Sequence, residues 1–87
     1  MSIFRKKKPA EFAARHWDGT PARAMAIVDW IGEHGGTAGY YGDPPALKIT
    51  TARGWVVAMP GDWIVERVEG EFRPVRPDVF AALYKAV

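Results

Sequence analysis

Apolar and polar residues trade places along this chain in two rhythms, and the rhythm changes at identifiable punctuation. From Pro9 to Trp17 the positions Ala10, Phe12, Ala14 and His16 alternate with Glu11, Ala13, Arg15 and Trp17, a period of two that predicts a half-buried strand. Asp18-Gly19 ends it. Thr20 is then placed to accept from the first free helical amides, and Pro21 loses nothing at a position where its missing N–H would be unpaired anyway. A helix is therefore predicted from there, with Ala24, Ile27, Val28 and Ile31 on one face, Trp30 beside them, and Asp29 and Glu33 opposite. Gly32, Gly35 and Gly36 mark its end.

After the helix the period returns to two. Thr37–Tyr41 predicts a short strand, Gly42-Asp43-Pro44-Pro45 a turn, and Ala46–Thr51 a strand with Leu47 and Ile49 on one face and Lys48 and Thr50 on the other. Ala52-Arg53-Gly54 forms the next hairpin loop and leads into Trp55–Met59. Pro60 presets φ for the second position of a type II turn and Gly61 supplies the positive φ of the third, so a new strand begins at Asp62. Trp63–Val68 is apolar enough to lie at the centre of a sheet. Glu69-Gly70 turns the chain into Glu71–Val75, where Pro74 requires an edge or a strand end. Pro77-Asp78 then starts a helix with Val79, Phe80, Leu83, Tyr84 and Val87 along one stripe. The sum is an α+β fold: a curled, mostly antiparallel sheet of five or six strands with two helices packed on it, in a single domain over residues 9–87 behind a basic tip at 1–8. The same element order also describes a small barrel of the kind that RNA-binding folds use.

Two groups of residues carry a resemblance. One is Lys8-Pro9-Ala10-Glu11-Phe12-Ala13-Ala14-Arg15-His16-Trp17-Asp18-Gly19-Thr20. The other is Met59-Pro60-Gly61-Asp62-Trp63-Ile64-Val65 with Gly70-Glu71-Phe72-Arg73-Pro74-Val75-Arg76-Pro77-Asp78-Val79-Phe80. In order and content they resemble a family of small proteins encoded by tailed bacteriophages and prophages, with a basic tip, Trp-Asp-Gly after the first strand, Pro-Gly-Asp-aromatic, Gly-Glu-Phe and Pro-Asp-aliphatic-Phe. The match runs from about Arg5 to Tyr84. In a related set of proteins the Pro-Gly-Asp is followed by Tyr-Gly, where this chain has Trp63-Ile64. The resemblance implies a phage origin and expression in the cytoplasm of a bacterial host, leaves virion association open, and brings no catalytic residue with it.

Composition narrows the chemistry. A chain of 87 residues buries only about 60–65% of its unfolded surface, so the core must come from its four Trp, four Phe and three Tyr; each ring can bury roughly 150–250 Å². Cysteine is absent, which removes disulfides, thiolate metal sites and thiol nucleophiles. No apolar run approaches the ~18 residues that span a bilayer, and the basic start leads into Pro9 and Glu11 instead of an apolar signal core; the expectation is a protein that neither spans a membrane nor is secreted. The net charge of +2 is misleading, because Arg5, Lys6, Lys7 and Lys8 supply four positive charges and the remaining chain carries eight basic and ten acidic residues.

For acid–base work the candidates are His16, His34, Asp18, Asp62, Glu71 and Asp78. His16 falls on the apolar face of the first strand, where a core histidine is the simpler reading. His34 sits at a helix end, where a cation suits the dipole. The three aspartates stand at element edges, where turn and cap bonding explains them. Two histidines a helix apart do not make a zinc site. The single serine, Ser2, lies in the terminal tip, and Gly35-Gly36-x-x-Gly39 follows a helix where a phosphate cradle would precede one. The expectation is no catalytic centre, no metal and no cofactor.

Binding remains. Trp, Tyr and Arg concentrate energy at protein interfaces, and consecutive Tyr40 and Tyr41 in a strand cannot both face the core. Tyr40, Tyr41, Trp55 and Trp63 are thus the candidates for contact with a host or phage protein. The alternative is sequence-independent nucleic-acid binding, with Arg5, Lys6, Lys7 and Lys8 on phosphates and exposed aromatics on bases.

Overall fold

The computed structural model describes residues 13–68 and 70–83. Six strands and two helices follow in the order β1 (Ala13–His16), α1 (Pro21–Glu33), β2 (Ala38–Gly42), β3 (Pro45–Thr51), β4 (Gly54–Ala58), β5 (Trp63–Val68), β6 (Glu71–Val75) and α2 (Pro77–Leu83). The α+β class holds, and the strands divide into two three-stranded antiparallel sheets, ordered β1-β5-β6 and β2-β3-β4. The division occurs at Met59–Asp62, where the chain leaves one sheet for the other. β5 is the central strand of its sheet, and β6, with Pro74, is an edge. That places the residue lacking an N–H where a ladder can spare one.

One core joins these parts. Ala24, Ile27, Trp30 and Ile31 of α1 meet Leu47, Ile49 and Ala58 of one sheet and Ile64 and Phe72 of the other. The helix begins as its sequence requires: Thr20 is extended and its Oγ1 accepts from the Arg23 N–H at 3.2 Å. It ends in a paired closure in which the Gly35 N–H donates to Gly32 O and the Gly36 N–H to Ile31 O, the Schellman pattern. Gly36 is needed for a second reason. A Cβ there would stand 2.7 Å from Ile31 Cγ2 and 2.8 Å from Phe72 Cε1, so the chain leaves the helix pressed against the core.

The Pro-Gly-Asp corner is a type II turn. The Asp62 N–H donates to Met59 O at 3.0 Å and Gly61 has φ +96°. Trp17 clasps it from both sides: its N–H donates to Asp62 O, its carbonyl accepts from Gly61 N–H, and its buried indole Nε1–H donates to Thr20 O. Trp-Asp-Gly and Pro-Gly-Asp are therefore two halves of one junction.

Two expectations are corrected. The first strand faces the other way: its register pairs Arg15 with core Ile64 and His16 with Trp63, so Ala13, Arg15 and Trp17 form the inward face. Arg15 satisfies this by laying its guanidinium 4.5 Å from the Trp30 ring centroid while remaining exposed. His16 is consequently not a core histidine. It is half-buried on the opposite face, its ring 4.9 Å from that of Trp63. The second correction concerns α2, which has no buried residue. Val79 and Leu83 are exposed, and Phe80 makes a contact instead, stacking on Trp63 at 4.0 Å and 2°. Tyr84 and Val87, like residues 9–12 of the predicted first strand, lie outside the described residues.

Candidate functional site

The two hairpin turns of β2-β3-β4 decide what its outer face presents. Asp43-Pro44 closes β2 onto β3 so that Tyr41 lies opposite Ala46 and Gly39 opposite Lys48. Ala52-Arg53 closes β3 onto β4 so that Thr50 lies opposite Trp55 and Lys48 opposite Val57. Residues directly opposite share a face. Tyr41, Lys48 and Trp55 therefore stand together on the side away from Leu47 and Ile49. The Lys48 ammonium lies 4.8 Å from the Tyr41 ring centroid and 4.2 Å from that of Trp55, and each contact is worth about 0.5–1 kcal/mol at an exposed site. The Tyr41 ring extends over Gly39, which has no side chain to obstruct it. Tyr41 is 51% and Trp55 59% exposed, and Val57 and Met59 add exposed apolar surface along the same strand direction.

Of the four aromatic candidates, the fold thus brings Tyr41 and Trp55 together in solvent and separates the other two from them. Tyr40 is half-buried, turned inward, and meets Trp17 edge-on at 6.1 Å. Trp63 is half-buried under Phe80 and His16 in the other sheet. Arg5, Lys6, Lys7 and Lys8 lie outside the described residues. Lys48 is the member of the group that residue type alone does not single out, although the lengths of the two turns place it between the rings.

Three of the acid–base candidates, Asp18, Asp62 and His34, are held in structural bonds. Asp18 Oδ1 accepts from the Thr20 hydroxyl at 2.7 Å and the Thr20 N–H at 2.9 Å. These bonds, the hydroxyl first, hold its carboxyl below the ordinary range. Buried Asp62 accepts from Met59 N–H and from the Arg76 guanidinium. His34 caps α1, as its position predicts, and pairs with Glu66 at 3.1 Å, whose other oxygen accepts from the Gly70 N–H. Among the described residues no group of three His, Cys, Asp or Glu is placed to hold a metal ion, and no helix is long and apolar enough to cross a membrane.

A cleft of about 850 Å³ opens between the sheets, lined by the β3–β4 tip, the start of the segment after α1, and β6. His16 lies elsewhere. Among the described residues, Arg53, Arg67, Arg73 and Glu71 are the charged side chains that line it. The tip is fixed from within, since Thr51 Oγ1 donates to Gly54 O and accepts from Arg53 N–H.

Comparison of the chain with protein-family models, with curated proteins and with solved structures finds no match.

Proposed function

We propose that this is a phage-encoded, non-enzymatic accessory protein that works as a protein-binding module, with the outer face of β2-β3-β4 as its contact surface and a host or phage protein as its partner. The observation that carries this reading is the Tyr41–Lys48–Trp55 constellation, two half-exposed rings held by one ammonium on a sheet face. Aromatic anchors restrained before contact lose little freedom on binding, which is what makes such residues dominate interface energies. Lys48 is the ionised group between them, so the complementary partner presents a carboxylate flanked by apolar side chains. Three of the acid–base candidates add support for contact over catalysis, because Asp18, Asp62 and His34 are bonded into caps, turns and pairs. The phage origin rests on the sequence resemblance.

The test uses quantitative affinity capture from the bacterial host with the intact chain and with Tyr41→Ala and Trp55→Ala, followed by titration of any protein whose recovery changes. Each substitution is expected to weaken that partner about tenfold or more, about 1.4 kcal/mol, while leaving the melting temperature unchanged. Equal recovery and equal affinity for all three proteins would refute the assignment.

A further inference from the structure

The outer edge of β6 carries main-chain groups that no other strand pairs with. β5 lies between β1 and β6, and successive residues of a strand in antiparallel ladders bond alternately to one side and the other. The direction of each residue is set by β1, where Ala14 O accepts from Arg15 Nη1 at 3.1 Å and His16 O from Arg23 Nε at 3.0 Å. Those two carbonyls therefore point outward, and Arg15 between them turns its main chain to Ile64. Ile64 is thereby committed to β1, so Pro74, opposite it on β6, faces the free edge, where a missing N–H costs least. Phe72, two positions earlier, faces the same way. The edge of β6 accordingly presents the Phe72 N–H, the Phe72 carbonyl and the Pro74 carbonyl in a row, whereas the outward carbonyls of β1 are occupied by arginine side chains.

That edge opens into the cleft. Residues 70–74 line it consecutively, and because alternate side chains of a strand point to opposite faces, an unbroken run belongs to a groove along the edge and not over one face. Thr51, Ala52 and Arg53 of the β3–β4 tip form the facing wall. One residue of an added strand, at ordinary strand and sheet spacings, fills about 160 Å³, so the cleft of about 850 Å³ holds roughly five residues, the length of β6. The groups on the edge are those that another extended main chain satisfies. The side chains of an added strand continue the alternation of β6: on the inner face they meet Pro74 and Val56, both apolar and half-buried, and on the other they come beside exposed Arg73. Glu71 lies two positions from Arg73 on that same face, so one carboxylate is matched there and a run of them is not. We infer that the cleft binds an extended peptide segment of the order apolar-acidic-apolar, added to the free edge of β6 as an antiparallel strand. This second contact surface goes beyond the aromatic-face reading and does not depend on Tyr41 or Trp55.

Titration of the intact, isotopically labelled chain with the capped pentapeptide Thr-Val-Glu-Val-Thr, followed by amide NMR shifts and hydrogen exchange, tests it. Shifts are expected at residues 71–75 and at the β3–β4 tip, with slowed exchange of the Phe72 amide. N-methylation of both valines removes the donors to the Phe72 and Pro74 carbonyls and weakens binding about tenfold. Arg73→Glu weakens binding about threefold and reverses the preference, so that Thr-Val-Lys-Val-Thr becomes the better ligand. Ala52→Trp, at an exposed position of the facing wall, blocks the cleft and abolishes the shifts. Far-ultraviolet circular dichroism verifies that both variants keep the fold. The inference is overturned if millimolar peptide moves no resonance of β6, if the N-methylated peptide binds equally well, if Arg73→Glu leaves the preference unchanged, or if Ala52→Trp binds as the parent does. It is also overturned if the Phe72 amide is protected by self-association of the chain without peptide, which would make a second copy the occupant. Shifts confined to Tyr41, Lys48 and Trp55 would remove the cleft and leave the aromatic face standing.

Discussion

Replacing Asp62 by Ala should be among the most damaging single changes in the molecule, and the structure gives the size of the effect. The carboxylate is 2% exposed. Its Oδ2 accepts from the Met59 N–H at 3.0 Å, closing the corner from within, and its Oδ1 accepts from Arg76 Nη1 at 2.8 Å, tying the corner to the start of α2. Truncation strands the Met59 amide in a partly buried position, at a cost of about 1.5–3 kcal/mol for a bond to a charged acceptor. The Arg76 half is worth less, about 0.5–1 kcal/mol, because that side chain is 58% exposed and returns to water. Together these come to about 2–4 kcal/mol, and at about 4–8 °C per kcal/mol for a domain of this size the melting temperature should fall by at least 8 °C or so. Thermal melts followed by circular dichroism measure this. Near-ultraviolet spectra should change as well, since Trp17 is bonded to both Gly61 and Asp62. Arg76→Ala should cost less than Asp62→Ala, and the double variant should cost less than the sum of the two, because the pair is shared. A melting temperature for Asp62→Ala within about 2 °C of the parent would refute the claim that this carboxylate holds the junction.

Two further predictions concern the ends of α1. Gly36→Ala forces a methyl group to within 3 Å of Ile31 and Phe72 and should destabilise the fold by about 1–3 kcal/mol, read as a lower urea midpoint; a neutral result would mean that the segment after α1 can move away from Phe72. Asp18 titrates below the ordinary range because Thr20 donates to it, so its contribution to stability is complete above the unfolded carboxylate value and disappears as pH falls through the folded one. Asp18→Asn should therefore be less stable than the parent near neutrality, and the difference should shrink below about pH 4; a gap constant with pH would show that the charge is not what the cap uses.

Local chemistry made most of the scaffold legible in advance, and the failures have a common cause. The Thr20-Pro21 start, the glycine closure, the Pro60-Gly61 corner and the edge position of Pro74 each depend on one or two residues and their backbone preferences. The facing of β1 depends on something else. Its two alternating sets are nearly equal in apolarity, and the choice is made by Trp17, whose main chain is claimed by the Gly61–Asp62 corner more than forty positions away in sequence. Once Trp17 is inside, His16 must be outside. The Tyr41–Lys48–Trp55 group was within reach, since two-residue turns at Asp43-Pro44 and Ala52-Arg53 fix the register that assembles it. That Arg53 borders the same cleft as Arg67 and Arg73 was not, because no hairpin relates the first to the other two; only the packing of one sheet beside the other does.

The polar side chains therefore divide into two populations with different consequences. Those of the Trp17–Asp62 junction and the α1 termini are saturated by partners inside the fold, so altering them should change stability first and binding only through it. Tyr41, Trp55, Arg53, Arg67 and Arg73 are exposed and lie beyond that framework, and their loss removes little buried surface. Surface substitutions of this kind ordinarily move stability by no more than about 0.5 kcal/mol. The separation is what gives the binding variants their meaning: affinity lost at constant melting temperature on replacing Tyr41 or Trp55 locates the working surface on the outer face of the β2-β3-β4 sheet, while affinity lost only in proportion to unfolding would assign these residues to the scaffold as well.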